Sequence, residues 1–161
     1  MIAYDIYKSD ENLEIEFCVE FEAYKCIIDQ LLPPLESSNY TFEIDIQNTL
    51  ITKEVVYFNE FTLVYEAGSL RCDDTMKYEY EVLVNGVENS DYSVDSENRT
   101  ITIQTDSIAQ FMVEEEKKEI CNTIQINAVA TTFEGFSLGS EAPIFQEHCW
   151  KLKENLEPYG N

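Results

Sequence analysis

Residues 13–22 read LEIEFCVEFE, a stretch with an apolar side chain at every odd position and glutamate at four of the five even positions. Successive side chains of a β-strand point to opposite faces, so this alternation predicts a half-buried strand with a row of carboxylates on its solvent face. The same pattern recurs in TFEIDI at residues 41–46 and in YEYEVLV at residues 78–84. The chain is therefore predicted to be mainly β, with acidic outer faces on its sheets.

The composition indicates a chain that folds and that carries an extreme charge. Its 161 residues are 44% hydrophobic and include 9 Phe and 10 Tyr, which is enough apolar surface for one core. The 32 acidic residues against 10 basic ones give a formal net charge of −22. This charge opposes direct binding to nucleic acid or to an anionic membrane, because both are negatively charged. We expect protein partners instead: copies of the same chain, other proteins of a viral particle, or a basic nucleic-acid-binding protein.

The N-terminus and the cysteines indicate a compartment. The first residues lack the basic segment and apolar run that mark a secretory signal. The five cysteines are odd in number and widely spaced, a pattern that favours free thiols in a reducing compartment over a disulfide framework. We therefore expect a protein of the host cytoplasm or of a virion.

Turn residues divide the chain into eight or nine alternating segments with turns about 8–12 residues apart, which is the pattern of an antiparallel β-sandwich. One or two short helices accompany these strands. Apolar spacings of three and four over residues 22–32, before Pro33-Pro34, predict the first helix, and the second is placed at the C-terminus. A helical turn is also predicted to begin at Asp106. Residues 1–161 are predicted to form a single domain with an N-terminal elaboration whose boundary lies near 67–77.

The strongest turn signal is Asn85-Gly86, which predicts a hairpin. The next predicted strand begins only at residue 92, so the loop is expected to be longer than two residues. The longest predicted strand covers residues 120–132. One side of it is apolar and consists of Ile120, Ile124, Ile126 and Ala128.

Two stretches resemble known families. Residues 120–145 contain IQINAVATTFEGFSLGSEAPIF, and they resemble the last two strands of a fibronectin type III or related immunoglobulin-like domain. Residues 82–103, with VLVNGVENSDYSVD followed by TITI, resemble strand-turn-strand units of phage virion appendage proteins and bacterial surface repeats. The resemblance implies an immunoglobulin-like sandwich and a structural role in a virus particle or at a cell surface. It implies no catalytic residue.

The sequence motifs of common enzymes and cofactor sites are missing, including GxGxxG, GxxxxGK, GxSxG and CxxC. The single histidine, His148, precedes Cys149, but neighbours on a strand face opposite sides, so a cap or surface role is expected in place of a nucleophile pair. Asp91, Asp95 and Glu97 are the best candidates for Ca²⁺ ligands, and chance proximity in an acidic chain is the favoured alternative. We therefore expect a non-catalytic protein without cofactor or metal.

Aromatic residues near the C-terminus are the candidate partner contacts, because aromatic anchors dominate the binding energy of interfaces. They are Phe133, Phe136, Phe145 and Trp150. The alternative is that they pack in the core and in a hairpin. The primary prediction of function is a structural or adaptor protein, a component of a phage or viral particle, that joins copies of itself or neighbouring proteins.

The carboxylate rows support a second prediction. The residues that one sheet face could collect are Glu14, Glu16, Glu20, Glu22, Glu43, Asp45, Glu79 and Glu81. A single strand spaces its same-face residues about 6.8 Å apart, too far to imitate duplex DNA, whereas several adjacent strands could do so. Such a face suits an inhibitor that mimics nucleic acid, as anti-restriction and anti-CRISPR proteins do. The alternative is charge that serves solubility and blunts strand edges.

Overall fold

The computed structural model describes residues 2–8, 13–19, 25–45 and 52–153. Up to the helix, the strands are β1 (Ile2–Lys8), β2 (Leu13–Val19), β3 (Ile28–Leu32), β4 (Tyr40–Ile44), β5 (Thr52–Tyr57), β6 (Thr62–Tyr65), β7 (Lys77–Val84), β8 (Val87–Glu88), β9 (Tyr92–Asp95) and β10 (Thr100–Thr105), with a 3-10 turn at Asp73–Thr75. Helix α1 (Ser107–Glu114) and strands β11 (Glu119–Thr131), β12 (Ser137–Gly139) and β13 (Ile144–Leu152) follow. The prediction of a mainly β chain is confirmed.

A six-stranded sheet forms one layer. Strands β4, β13, β11, β7 and β8 follow one another across it, and β12 also pairs with β11. The pairs are antiparallel except for β4, which runs parallel to β13. The 13 residues of β11 are long enough to pair with β7 on one side and with both β13 and β12 on the other. Its alternation buries Ile124, Ile126 and Ala128 on one face, as predicted.

A three-stranded sheet of β5, β10 and β9 forms the opposite layer. Ile101 and Ile103 of β10 are fully buried and belong to the same core cluster as Trp150 of the first sheet. Helix α1, which Asp106 precedes as predicted, adds Ala109 and Met112 to this core. Two smaller sheets, β1 with β2 and β3 with β6, accompany these layers. The β-sandwich prediction is therefore confirmed.

The helix predicted over residues 22–32 is wrong. Residues 28–32 form β3, which pairs antiparallel with β6, and residues 22–24 lie outside the described ranges. The register shifts between Ile28 and Gln30, which marks a β-bulge. The extra residue lets Ile28 and Leu31, three positions apart, both be buried, and this reproduces the apolar spacing of a helix.

The turn after β7 is shorter than predicted. Val84 pairs with Val87, so Asn85 and Gly86 alone make the connection. Their φ angles are 51° and 86°, and a two-residue type I′ turn requires positive φ at both positions. The prediction took the strand near residue 92 as the return strand, but β9 belongs to the opposite layer and the two-residue β8 completes the hairpin.

Four of the five cysteines are paired, which corrects the prediction of free thiols. Cys26 is bonded to Cys72, and Cys121 is bonded to Cys149 in the neighbouring strand. Cys18 is exposed and free. The partners are 46 and 28 residues apart, so the fold brings them together and spacing alone does not reveal them. Because disulfides persist in oxidising compartments, the cysteines no longer support a reducing one.

Segments from both sides of the boundary predicted near 67–77 share the same sheets, since β4 pairs with β13 and β5 pairs with β10. The helix predicted at the C-terminus would fall beyond residue 153, outside the described residues. Within those residues, no helix has the length and apolar character needed to cross a membrane. A single domain over residues 1–161 and an immunoglobulin-like topology stay predictions.

Candidate functional site

The side of the six-stranded sheet that faces away from the core is the first candidate surface, and we call it the outer face. It consists of the odd-numbered residues of β11 together with the residues opposite them in β13 and β7, and with Thr41 and Glu43 of β4 beyond β13. Lines of side chains cross it from strand to strand, as from Glu43 through Lys151 to Glu119. The even-numbered residues of β11 and their partners face the core.

Six exposed carboxylates lie on the outer face: Glu43, Glu79, Glu81, Glu88, Glu119 and Glu147. The sequence predicted three of them, Glu43, Glu79 and Glu81. Glu119 was not among the predicted residues, because it ends the charged run EEEKKE of residues 114–119, which shows no strand alternation. The alternation that continues through β11 is the signal that assigns it to the strand.

These carboxylates are spread over the sheet. Strands β13 and β11 lie between Glu43 and the two glutamates of β7, a separation of about 14 Å across the sheet at ~4.8 Å per strand. Lys151 lies between Glu43 and Glu119, and its Nζ is 3.9 Å from a Glu119 carboxylate oxygen. Asn127 Nδ2 donates a 3.0 Å hydrogen bond to Glu81. The carboxylates of the outer face are therefore separated from one another, and neutral and basic side chains lie between them.

The other predicted acidic residues do not join this surface. Glu14 and Glu16 belong to β2, which pairs with β1 in a separate sheet, and the Glu16 side chain is exposed. Asp45 follows β4 and is half-buried, while Glu20 and Glu22 lie outside the described residues. Those predicted acidic residues that lie in described strands thus occupy two different sheets.

The connection between β11 and β12, residues 132–136, holds two exposed phenylalanines, and we call it the aromatic turn. Phe133 is 86% exposed and Phe136 is 51% exposed. The N–H of Thr132 donates to the Phe136 carbonyl oxygen at 2.8 Å, and the N–H of Gly135 donates to the Thr132 carbonyl oxygen at 2.9 Å. Gly135 has a φ of 91°, which a side chain would make unfavourable. The turn is therefore ordered by its own hydrogen bonds while both aromatic rings face solvent.

The other two predicted aromatic contacts have different surroundings. Phe145 is half exposed on the outer face, opposite Gln125, about 20 Å along β11 from Thr131, where the aromatic turn begins. Trp150 is fully buried, and its ring lies 4.5 Å from that of Phe42. The prediction of a partner contact at Trp150 is wrong, because position 150 falls on the core side of the β13 alternation.

His148 lies between the two layers and is fully buried, which corrects its expected cap or surface role. Its Nε2 is 3.0 Å from Oε1 of Gln146, and the Gln146 amide donates to the Tyr57 carbonyl oxygen in the other sheet at 3.1 Å. The rings of Tyr40 and Tyr92 lie 5.6 and 6.2 Å from the imidazole. Burial lowers the pKa of His148 to about 4, so the imidazole is neutral near pH 7.

Asp91, Asp95 and Glu97 are not brought together as a cation site. Asp95 accepts hydrogen bonds from the backbone N–H groups of Glu97 and Asn98 and from Nδ2 of Asn98, the last at 2.7 Å. The side-chain hydrogen bond from Asn98 lowers the pKa of Asp95. Asp91 accepts a hydrogen bond from the hydroxyl of Ser107. These interactions stabilise the turn after β9 and the start of α1.

Glu119, Cys121 and Cys149 are a group of described side chains whose potential metal-ligating atoms lie close together. The two sulfurs are bonded to each other, which leaves one carboxylate as a free ligand. Cys149 belongs to the outer face whereas His148 faces the core, so the neighbouring pair does not form a nucleophilic dyad, as the strand geometry predicted.

Two grooves lie along β7 on the side away from β11. The first has a volume of about 500 Å³ and lies between the β7 residues Tyr78 and Tyr80 and Arg99 of the β9–β10 turn. The second, of about 630 Å³, is lined by Tyr80, Val82 and Ser90 among others. The rings of Tyr78 and Tyr80 are parallel with centroids 6.2 Å apart, and burial raises the pKa of Tyr78 to about 12. The sequence predicted these residues only as a strand.

No protein-family model matches the chain, and no curated protein matches it. Among solved structures, the chain is similar to the crystal structure of SusF from Bacteroides thetaiotaomicron, with a TM-score of 0.43 and 12% sequence identity. The match covers 84% of this chain and 28% of that one, so this chain spans less than a third of its length. A likeness at this level carries no argument about function.

Proposed function

We propose that this protein is a non-catalytic structural or adaptor protein that binds another protein by inserting its aromatic turn into an apolar pocket of that partner. The exposure of Phe133 and Phe136 on a hydrogen-bonded turn is the observation that supports it. Burying one phenylalanine side chain contributes about 1.5–3 kcal/mol. An ordered turn also loses little conformational freedom on binding, which leaves more of that energy for affinity.

The negative charge of this chain indicates which residues should surround the apolar pocket of the partner. Glu134, between the two phenylalanines, is exposed, and the chain carries a net charge of −22. A partner with basic residues around an apolar pocket is favoured, since opposite charges steer the two surfaces together. The resemblance of residues 82–103 to phage appendage modules makes another virion protein the expected partner, with a second copy of this chain as the alternative.

Photo-crosslinking tests this function with a matched control. A photoreactive phenylalanine analogue is placed at Phe133 in one variant and at Phe111 in another, because Phe111 of α1 is also an exposed phenylalanine but lies outside the aromatic turn. After irradiation in a lysate of the source cells, position 133 should give a discrete adduct and position 111 should not. The double variant Phe133→Ser with Phe136→Ser should lose the complex, and Phe111→Ser should keep it. Equal adducts from both positions, or a complex that survives the double variant, would overturn the proposal.

The six carboxylates of the outer face support a second candidate function, inhibition of a basic nucleic-acid-binding protein by mimicry. Exposed charges are screened beyond about 8 Å at physiological salt, so an affinity of this origin should fall steeply as ionic strength rises. The measurement is displacement of labelled DNA from a nuclease in a gel shift.

Two variants with equal charge change separate mimicry from net charge. Each replaces three glutamates by Gln: Glu79, Glu81 and Glu147 on the outer face, or Glu114, Glu115 and Glu116 at the end of α1. Mimicry predicts that the wild type and the α1 variant displace DNA and that the outer-face variant does not. No displacement by the wild type, or equal loss in the two variants, would exclude this mechanism for that nuclease.

A further inference from the structure

We propose that the open edge of β7, residues 77–82, binds an extended segment of a partner protein as an additional β-strand, and that this segment alternates basic and apolar residues. We call residues 77–82 the β7 edge. The site is a different surface from the aromatic turn, so the inference goes beyond the proposed function and does not depend on it.

The backbone of the β7 edge has unused hydrogen-bonding groups. On the side away from β11, β8 pairs only with Leu83 and Val84, and no residue in the described ranges pairs with positions 77–82. Such an edge is a template for another strand, because N–H and C=O groups along it lack protein partners.

Hydrogen bonds on the side of β11 away from β7 show which backbone N–H and C=O groups of β7 point toward the open edge. The N–H of Ser140 donates to the Ala128 carbonyl oxygen at 2.8 Å, and the N–H of Ala128 donates to the Ser140 hydroxyl at 3.2 Å. Both backbone groups of Ala128 therefore point away from β7. Ala128 lies opposite Tyr80, so these two residues form a non-hydrogen-bonded pair, and the N–H and C=O of Tyr80 point away from β11. Such pairs alternate along an antiparallel ladder, so the N–H and C=O groups of Tyr78 and Val82 point the same way.

The N–H of Asn85 donates to the Thr123 carbonyl oxygen at 2.8 Å. This bond agrees with an alternation in which the backbone N–H and C=O groups of odd-numbered β7 residues point toward β11. Three N–H groups and three carbonyls are thus available along the edge. Six residues span about 20 Å as a strand, and the two grooves described above provide the room beside them.

The side chains of β7 define what the added strand should carry. The odd positions Glu79 and Glu81 are exposed on the outer face, and the even positions Tyr78, Tyr80 and Val82 are half-buried on the other. An added strand places its alternate residues beside these two rows, so basic residues would lie next to the carboxylates and apolar residues next to the rings.

The remaining groove residues agree with a basic segment. Glu60 and Glu97 line the first groove and Glu88 the second, and the cations among the lining residues are Lys77 and Arg99. The carboxylates thus outnumber the cations along the edge.

The same charges oppose a second copy of this chain as the occupant. Pairing two β7 edges would bring the Glu79 and Glu81 carboxylates of both copies side by side, and like charges on adjacent strands are destabilising. Two chains with a net charge of −22 also repel each other before contact. A basic segment avoids both the repulsion between carboxylates on adjacent strands and the repulsion between two acidic chains.

A synthetic peptide of four Lys-Val repeats, added to the full chain, is the probe. Amide hydrogen exchange is followed by NMR at low salt with and without saturating peptide. Exchange at Tyr78, Tyr80 and Val82 should slow at least tenfold, and exchange at Glu79 and Glu81 should change little because their N–H groups already bond to β11. Unchanged exchange at the three outward positions would overturn the proposal, as would protection there that rises with protein concentration in the absence of peptide.

Three controls test the mode of binding by fluorescence anisotropy. The same peptide N-methylated at alternate residues along one edge, and a Glu-Val peptide, should each bind at least tenfold more weakly. Glu79→Lys with Glu81→Lys should weaken binding more than Glu114→Lys with Glu115→Lys, which changes the net charge equally. The double variant of the aromatic turn should bind the peptide as the wild type does. Equal affinity of the N-methylated peptide, or equal weakening by both lysine pairs, would refute strand addition.

Discussion

Lowering the pH from 7.5 to 5.5 should reduce the free energy of unfolding through one group, the imidazole of His148. It is fully buried, and its Nδ1 has no hydrogen-bond partner among the described residues. The side chains that face it are those of Tyr40, Phe42, Tyr92 and Gln146. None of them is negatively charged near neutral pH, so none offsets the cost of protonating the ring in the core.

The size of the effect follows from proton linkage. Burial lowers the pKa of His148 from 6.5 to about 4 in the folded protein. Above pH 6.5 the ring is neutral in both states and the full stability is present. As the pH falls below 6.5, the unfolded chain takes up a proton that the folded chain does not, so stability is lost. The loss is on the order of 1 kcal/mol at pH 5.5 and approaches about 3 kcal/mol below pH 4.

Urea unfolding at pH 7.5 and 5.5, at constant ionic strength, measures this loss. Trp150 is the single tryptophan and is fully buried, so its fluorescence reports unfolding. His148 is also the single histidine, and its replacement in His148→Phe should remove most of the pH dependence. At pH 7.5, where the wild type carries no protonation cost, the variant should be less stable because Gln146 loses a hydrogen-bond partner. Equal stability of the wild type at the two pH values, or the same loss in the variant, would refute the reasoning.

The disulfides, the buried tryptophan and the Asn85-Gly86 turn can each be tested directly. Thiol titration of the unfolded, unreduced protein should detect one free thiol, Cys18, and five after reduction, and additional thiols before reduction would contradict the two disulfides. Trp150→Ala should lower the free energy of unfolding by about 3–5 kcal/mol and Phe133→Ala by less than about 0.5 kcal/mol, since only the first leaves a cavity; similar costs in urea unfolding would contradict the difference in burial. Gly86→Ala should cost about 1 kcal/mol in the same assay because of the φ of 86° at that position, and an unchanged urea midpoint would contradict the turn geometry.

The predictions that held rest on local periodicity. The apolar side of β11 could be read from the sequence because a strand alternates regardless of its partners, and α1 could be placed because Asp106 precedes an amphipathic turn. The errors have equally local causes. At Ile28 and Leu31 a bulge imitates helical spacing, and at Asn85-Gly86 the return strand is only two residues long.

The sequence alone was enough to predict that the chain is mainly β and that one face of several strands is acidic. Tertiary structure sets which carboxylates share a face, because that depends on the order and register of strands far apart in the chain: β4 beside β13, and β11 beside β7. It also decided that Trp150 and His148 are core residues and that Cys121 meets Cys149. Alternation assigns a residue to one of two faces, but only pairing and packing decide which of those faces is covered.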